Sequence, residues 1–508
     1  MVIAYWFFHK HQFQENQENR LSRRARNAWV IEALAIHLAQ SREQGLSQVL
    51  YGALRRWIEV GELAAGEALP SSRQLARELG IGRNTALAAL DRLAAEELVV
   101  AHPGAGLFVA RLALAEAAHQ APVLPWRASL SHRGHHLLDV CAASGRGHRA
   151  FAPGLPALDL FPREQWQRLL RRHQQRAPEA WLGYQTGGGV AALKTALCDY
   201  LRLSRSVRCT PEQILITQGA QQGFELIARL LADPGDSAWI EEPGYGGAQV
   251  ALTAAGLSLV PVPVDAEGID LQCAPDGPVP RLICVTPSHQ YPRGVTLSLA
   301  RRLALLNAAE RHGAWIIEDD YDSEFRYSSP PLASLQGLVE QAPVIYVGTF
   351  SKVLYPGLRL GYLVLPDTLV EPFQRANARL NREGQYVAQA ALAEFIEQGH
   401  FSRHVARMRR AYRSRQAALR EALAPATREG LTLSEGHAGM HLLARLDDPV
   451  QEQALVEAGR TQDVLLSPLS RYFTGPVTQA GLVLGYAGSH EQEIGRAGDW
   501  LARAWRSL

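Results

Sequence analysis

A chain of 508 residues, 47% hydrophobic and 20% charged, is a globular protein too long for one core, so two or three domains are expected. Its formal net charge of +2 excludes a strong bulk field for nucleic acid or membrane, and no apolar run approaches the ~20 residues that span a bilayer. Five cysteines without CxxC spacing point to reduced, mostly buried thiols, no metal site and a cytoplasmic location.

In chain order, residues 1–45 are expected to be a disordered extension. The start, MVIAYWFFHKH, has a short apolar run but neither a basic n-region nor a small-residue cleavage site, so it does not read as a signal peptide. HKHQFQENQENRLSRRARN is polar and unpatterned. A translation start at Val30 is the alternative account of residues 1–29.

Residues 46–110 read as one compact unit. Leu50, Ala53, Leu54, Trp57 and Ile58 recur at helical spacing. Ser71 or Ser72 is placed to cap a second helix, SSRQLAREL, which ends at Gly80. A third helix, IGRNTALAALDRLAAEE, is expected to turn Leu87, Leu90 and Leu93 inward, and LVVAHPGAGLFVA reads as two short strands about a Pro/Gly turn. Helix, turn, helix and hairpin in this order make a winged helix-turn-helix. The whole segment resembles the GntR family of bacterial regulators. The resemblance implies that Arg73, Arg83, Asn84 and Thr85 face DNA, with the wing glycines Gly104 and Gly106 near the minor groove. Six arginines against seven acidic residues give this unit a net charge of −1, so affinity for a double-stranded operator must come from the placement of a few arginines or from dimerisation.

Residues 111–149, rich in Ala, His, Arg and Pro, read as a linker. From about 150 short apolar runs (ILIT, SAWIEEP, LICVTP, AWIIEDD, VIYVG, LGYLVL) alternate with helical stretches, which argues for an α/β domain over 150–508 with a mainly parallel sheet covered on both faces. After about 366 the chain is helix-rich. The arginine-dense HFSRHVARMRRAYRSRQAALREAL reads as a solvated helix leading into a small C-terminal α/β subdomain, not as a nucleic-acid patch.

The stretch VIYVGTFSKVLYPGLRLGYLVL carries the chemistry. Lys352 sits in a polar turn between two strand-like runs, and Arg359 follows seven residues later. Only Lys10, Lys194 and Lys352 are lysines among the 52 basic residues, so a lysine in this turn is there for its amine. An amine at the mouth of a sheet can form a Schiff base with an aldehyde, and a guanidinium nearby can grip a phosphate. Pyridoxal 5′-phosphate carries both groups. The form GTFSK…PGLRLGY resembles the lysine motif of fold-type I aminotransferases in the version found in the MocR subgroup of GntR regulators, where an aminotransferase-like domain follows a DNA-binding domain.

That resemblance implies the remaining cofactor contacts. Asp319, in IIEDDYDSEF, would pair with the pyridinium nitrogen, and Tyr321 would bond the ring hydroxyl. Tyr245, in EEPGY, would stack on the ring. Gly219, Ala220 and Gln221 would offer backbone N–H groups to the phosphate at a helix N-terminus, joined by Thr349 and Arg359. Tyr184, in WLGYQTGGG, matches a tyrosine that reaches the neighbouring subunit's phosphate in aminotransferase dimers. The chain departs from the working enzymes at HQYPRG, which has Tyr291 where they carry Asn. The strand GLVLGYAG also lacks the arginine they use for a substrate carboxylate. Arg471, with Tyr291 and Gln290, is then the candidate effector site. The expected protein is a homodimer, with a domain-swapped arrangement of the DNA-binding domains as its further expectation, that senses an amino compound or the cofactor itself by aldimine exchange at Lys352. An active aminotransferase carrying an accessory DNA-binding domain is the alternative.

Overall fold

The computed structural model describes residues 23–40, 45–110, 130–140, 149–327 and 332–507. The expected disorder of residues 1–22 and most of the 111–149 linker lie outside the described residues. The chain divides into two compact units, Met1–Ala128 and Ser129–Leu508.

In the first unit, residues expected to be disordered form a helix, α1 (Arg23–Gln40). Val30 and Leu34, one helical turn apart, are fully buried in the same core as the next three helices. Trp29 meets Trp57 with ring centroids 5.4 Å apart, the Arg26 guanidinium lies 4.7 Å from the Trp29 ring, and Arg26 also pairs with Glu67. The polar run HKHQFQENQENRLSRRARN sets the expectation of disorder, but residues 28–39 are mostly apolar, and Val30 and Leu34 fall on one stripe.

Next come α2 (Leu46–Glu59), α3 (Ser72–Leu79) and α4 (Arg83–Ala95), then the hairpin β1 (Val99–His102) and β2 (Gly106–Val109). The five residues assigned to the inner face of α2 are all buried. Ser71 caps α3, its hydroxyl accepting from the Gln74 N–H at 3.2 Å, and Gly80 ends it with φ +64°. In α4 the buried stripe is Ala86, Ala89, Leu90 and Leu93. Leu87, expected inside, is 40% exposed, because it stands one residue and about 100° off that stripe.

In the second unit α5 (His132–Val140), α6 (Arg163–Gln175) and α7 (Ala191–Arg205) precede the sheet. The α5 helix occupies part of what the sequence suggested was linker. The sheet comprises β3 (Ile214–Thr217), β4 (Ser237–Glu242), β5 (Ser258–Asp265), β6 (Gly268–Ile269), β7 (Pro280–Val285), β8 (Trp315–Asp320), β9 (Val344–Thr349) and β10 (Gly361–Val364). Helices α8 (Ala220–Leu231), α9 (Gly246–Ala255) and α10 (Leu299–His312) run between them. The strand order is β3-β10-β9-β8-β7-β4-β5-β6. Strands β5, β4, β7, β8 and β9 pair in parallel, while β10 is antiparallel to both its neighbours. Residues at the carboxyl ends of the parallel strands therefore converge on one edge, where α/β sheets keep their sites.

Three helices, α11 (Asp367–Leu380), α12 (Tyr386–Glu397) and α13 (His400–Arg428), lead to an antiparallel sheet. Its strands are β11 (Thr432–Leu433), β12 (His441–Leu446), β13 (Ser467–Pro468) and β14 (Ala480–Gly485), with α14 (Pro449–Thr461) and α15 (Glu491–Arg506) beside them. The arginine-dense helix is α13. It is not simply solvated: Arg415 is 2% exposed and bonds Asp159 at 2.9 Å, and Arg409 donates to the Glu324 carbonyl.

Candidate functional site

The site is built on the turn after β9. Lys352 points back across the chain, and its Nζ donates to the Gly154 carbonyl at 2.9 Å. Gly154 has φ +72°, and a Cβ there would lie 2.7 Å from that Nζ, so only glycine leaves the amine its place. Burial lowers the lysine's pKa, while the nearby Asp322 and Asp319 oppose that shift. A buried amine of lowered pKa is the form that attacks a carbonyl.

Asp319 is the penultimate residue of β8 and is 4% exposed. Its carboxyl is held well above the ordinary carboxylate range by burial and by the charges of Asp320 and Glu241, with Lys352 acting the other way. A cationic ring nitrogen would reverse that balance. Tyr245 stands at the N-terminus of α9, its phenol pushed up to about 12 by burial and the Asp319 charge, with Arg359 pulling it down. It therefore lies within electrostatic reach of both the acid and the arginine.

The phosphate end is equally specific. Gly219 begins α8 with φ +91° and no side-chain cap, which leaves the first N–H groups of the helix, those of Ala220 and Gln221 among them, facing outward. A Cβ on Gly219 would sit 3.6 Å from Nη1 of Arg359, so the guanidinium closes over this helix end. Gly361 allows the approach, since a Cβ there would be 2.8 Å from the Gly219 backbone. The Thr349 hydroxyl accepts from the Ser351 N–H at 3.2 Å, and the Gln221 side chain holds the Gly247 carbonyl at 3.1 Å. Amine, buried acid, aromatic face and anion cradle together fit pyridoxal phosphate.

Three further expected residues make contacts of their own within the chain. The Tyr321 hydroxyl lies 2.9 Å from Nδ1 of His289, and the same nitrogen lies 2.9 Å from the Asp322 carboxylate. Gln290 is spent on the frame: its amide nitrogen donates to Glu241 and to the carbonyls of Pro243 and Tyr291, and its oxygen accepts from the Arg293 N–H. Tyr184 stands apart, 81% exposed, with the Arg382 guanidinium 4.7 Å from its ring.

Tyr291 is the hub of an aromatic wall. Its ring lies 5.8 Å from Tyr245, 5.7 Å from Tyr321, 5.3 Å from Tyr472 and 5.2 Å from His441, and its hydroxyl meets that of Tyr472 at 3.1 Å. Arg471, in the short turn Leu469–Tyr472, is exposed, and its charge partly offsets the rise in the Tyr291 pKa that burial causes. Sequence reasoning missed His289, Asp322, His441, Tyr472 and Gly154. His289, Asp322 and Tyr472 lie inside or beside motifs already singled out (HQYPRG, IIEDDYDSEF and the stretch around Arg471), while His441 and Gly154 come from segments distant in the chain.

In the DNA-binding unit Arg73 lies in the first turn of α3, with Arg83 and Asn84 in the first turn of α4, and all three are exposed. Thr85 is half-buried. Arg55, Arg77 and Arg92 are engaged with Glu59, Glu78 and Glu96, whereas no ion pair of Arg73 or Arg83 is found among the described residues. Gly104 and Gly106 form the hairpin turn with φ +74° and +110°.

Comparison with known proteins agrees with both halves. Residues 46–109 match the model for bacterial regulatory proteins of the GntR family, and residues 158–494 that for aminotransferases of class I and II. The probable rhizopine catabolism regulatory protein MocR of Rhizobium meliloti is 42% identical over 86% of this chain and 89% of its own length. The chain belongs to the MocR-type GntR regulators. The pyridoxine biosynthesis regulator PdxR of Corynebacterium glutamicum is 29% identical over 87% of this chain and 91% of its own. Among solved structures, α-aminoadipate aminotransferase LysN from Thermus thermophilus, complexed with N-(5′-phosphopyridoxyl)-L-leucine, superposes with a TM-score of 0.65 at 28% identity, over 74% of this chain and 95% of that one. The protein is thus a DNA-binding transcriptional regulator whose larger unit is of the pyridoxal-phosphate-dependent aminotransferase type. Among the described residues no helix is long and apolar enough to cross a membrane.

Proposed function

We propose that this cytoplasmic MocR-type regulator senses a small amino compound at Lys352 and reports it to the operator. The observation that carries the reading is the buried Lys352 amine, lowered in pKa and held against the Gly154 carbonyl. Bound there, pyridoxal phosphate supplies an aldehyde carbon that an incoming amine can capture in place of Lys352. Asp319 would hold the ring nitrogen, Tyr245 the ring face, and Arg359 with the α8 N-terminus the phosphate. Tyr321, tied to His289, would act at one remove from the ring. The free Lys352 amine has a resting partner in the Gly154 carbonyl, and the Asp322 and Asp319 charges favour its protonated form. The Tyr291 and Tyr472 hydroxyls, with Arg471 at the rim, would line the effector's side and Gln290 would brace it from behind. Only a difference in effector affinity between two conformations can shift DNA binding.

Arg73, Arg83, Asn84 and Thr85 would meet the operator, with Gly104 and Gly106 at the minor groove. Two chains would associate through the aminotransferase-like units, with the exposed Tyr184 of each completing the other's phosphate site. The 111–149 segment is long enough for exchanged DNA-binding units. A complete lysine and acid pair also supports a second reading, that of an active aminotransferase.

Sodium borohydride treatment of the purified protein, followed by peptide mapping, tests the first assignment. The reduced adduct should fall on Lys352, and an adduct on Lys194 refutes the reading. Steady-state assays with amino donors and keto acids separate sensing from turnover. Mixing a Lys352→Ala chain with a Tyr184→Phe chain tests the shared site: one hybrid site should carry both lesions and the other neither, and a monomeric mass with cofactor bound would exclude sharing.

A further inference from the structure

A small cavity lies against Asp319 and Tyr245, two of the expected cofactor contacts. It is lined by Glu241, Tyr245, Gln249, Cys284, Thr286 and Asp319, with apolar neighbours. Gln249, one turn into α9, is 6% exposed, and its amide Nε2 is buried with no hydrogen-bond partner. Leaving such a donor unpaired costs about 1–3 kcal/mol, so a buried amide on the wall of a cavity normally has a bound partner there. Glu241 is 4% exposed, and both bonds it accepts, from the Thr286 hydroxyl at 2.5 Å and the Gln290 amide at 3.2 Å, fall on Oε2. A cavity with an amide donor and two carboxyl groups on its walls meets the requirement of two to four polar partners for a buried water.

We propose that Glu241 and Gln249 are positioning residues for Asp319, acting through one ordered water that takes the Gln249 N–H and bridges the two carboxyl groups. The inference rests on the reading that pyridoxal phosphate lies against Asp319. The bridge keeps the Asp319 carboxylate charged and aimed at the ring nitrogen. Glu241 suits the role because burial pushes its pKa up to about 7, so on the acid side of neutrality it holds a proton to donate to the water. The other titratable groups around the cavity are consistent with this. Asp320 and Asp322 add negative charge and Lys352 positive charge at Asp319, while the Cys284 thiol and Tyr245 phenol are both raised by burial and stay neutral.

The test uses the full-length protein, with pyridoxal phosphate as probe, and two variants. Gln249→Leu should weaken cofactor affinity about threefold to tenfold, the worth of one hydrogen bond. Wild type should show an inflection near pH 7 in its cofactor affinity and visible absorption, and the isosteric Glu241→Gln should lose it. If Gln249→Leu leaves affinity and spectrum unchanged and raises the melting temperature, the cavity is dry and the inference falls. If Gln249→Leu does not fold, a Glu241→Gln pH profile identical to wild type overturns the inference by itself. Failure of wild type to take up pyridoxal phosphate overturns the cofactor reading and this inference together; normal uptake with unaltered variants overturns this one alone.

Discussion

The two units hold their functional groups in opposite environments. In the DNA-binding unit, Arg73, Arg83 and Asn84 stand exposed on helix starts whose opposite faces make the core. In the larger unit, Asp319, Glu241, His289 and Asp322 are all buried, and each polar group there shifts or orients the next. Exposed determinants can be removed one at a time with the fold intact. Buried ones form a single electrostatic unit, in which one deletion leaves its partners uncompensated.

The largest effect should come from breaking that buried unit. Asp319→Ala removes the carboxylate proposed for a cationic ring nitrogen, and should weaken pyridoxal phosphate binding by about 3–5 kcal/mol, the cost of stranding one member of a buried charge pair. Equilibrium dialysis with pyridoxal phosphate measures this. A loss below about 1 kcal/mol would mean that the acid is not a cofactor contact. Operator binding by the cofactor-free variant should be retained.

Arg83→Ala makes the opposite case. It should cost about 1–3 kcal/mol of operator affinity with no change in cofactor absorption. A mobility-shift assay at physiological salt, paired with an absorption spectrum, checks both arms. An altered spectrum would break the separation between exposed and buried determinants.

The contrast also decides what the sequence could say. Elements whose apolar residues repeat on one stripe were legible, as in α2, and so were the strands of the parallel sheet and the residues bearing a motif, such as Lys352, Asp319 and Arg359. The α1 helix escaped because the polar run HKHQFQENQENRLSRRARN, which overlaps its start, dominates the composition by which residues 1–45 are read. Leu87 was misplaced because a run of apolar residues in α4 offers more candidates than the buried face accepts. His441 and Gly154 could not be read at all: each joins the site from a segment distant in the chain, and only the folded topology brings it there. Tyr321 was recognised, but its bond to His289 depends on a ring orientation that no spacing encodes.

A smaller effect concerns pH. His404 lies buried in α13 and donates Nε2–H to the Val353 carbonyl at 2.9 Å, beside Lys352. Burial lowers its pKa to about 4. Between about 6.5 and about 4 the unfolded chain binds a proton that the native one refuses, so this group's contribution is present above 6.5 and is lost as pH falls. The loss approaches about 1 kcal/mol per pH unit. Glu241, raised to about 7, runs the other way: the native state keeps its proton above the ordinary carboxylate range, and stability falls as pH rises toward 7. Comparing urea midpoints of wild type and His404→Gln from pH 7 to 5 isolates the histidine, and the variant should show the shallower acid loss. Parallel curves would mean that His404 is protonated in the native state.

The smallest expected effect is the sharpest test of the DNA-binding unit. If affinity came from bulk charge, any arginine of this unit would matter equally. Arg77 is exposed but paired with Glu78 at 2.7 Å, whereas no such pair of Arg83 is found among the described residues. An exposed ion pair is worth about 0–1 kcal/mol, and removing Arg77 frees a carboxylate without freeing a phosphate. Arg77→Ala should therefore change operator affinity by less than about 0.5 kcal/mol and leave the salt dependence of binding unaltered, while Arg83→Ala should lower the slope of log K against log salt by about 1. Titrations at several salt concentrations give both quantities. Equal losses for the two variants would show that bulk charge, not the placement of single arginines at the start of α4, holds this unit on DNA.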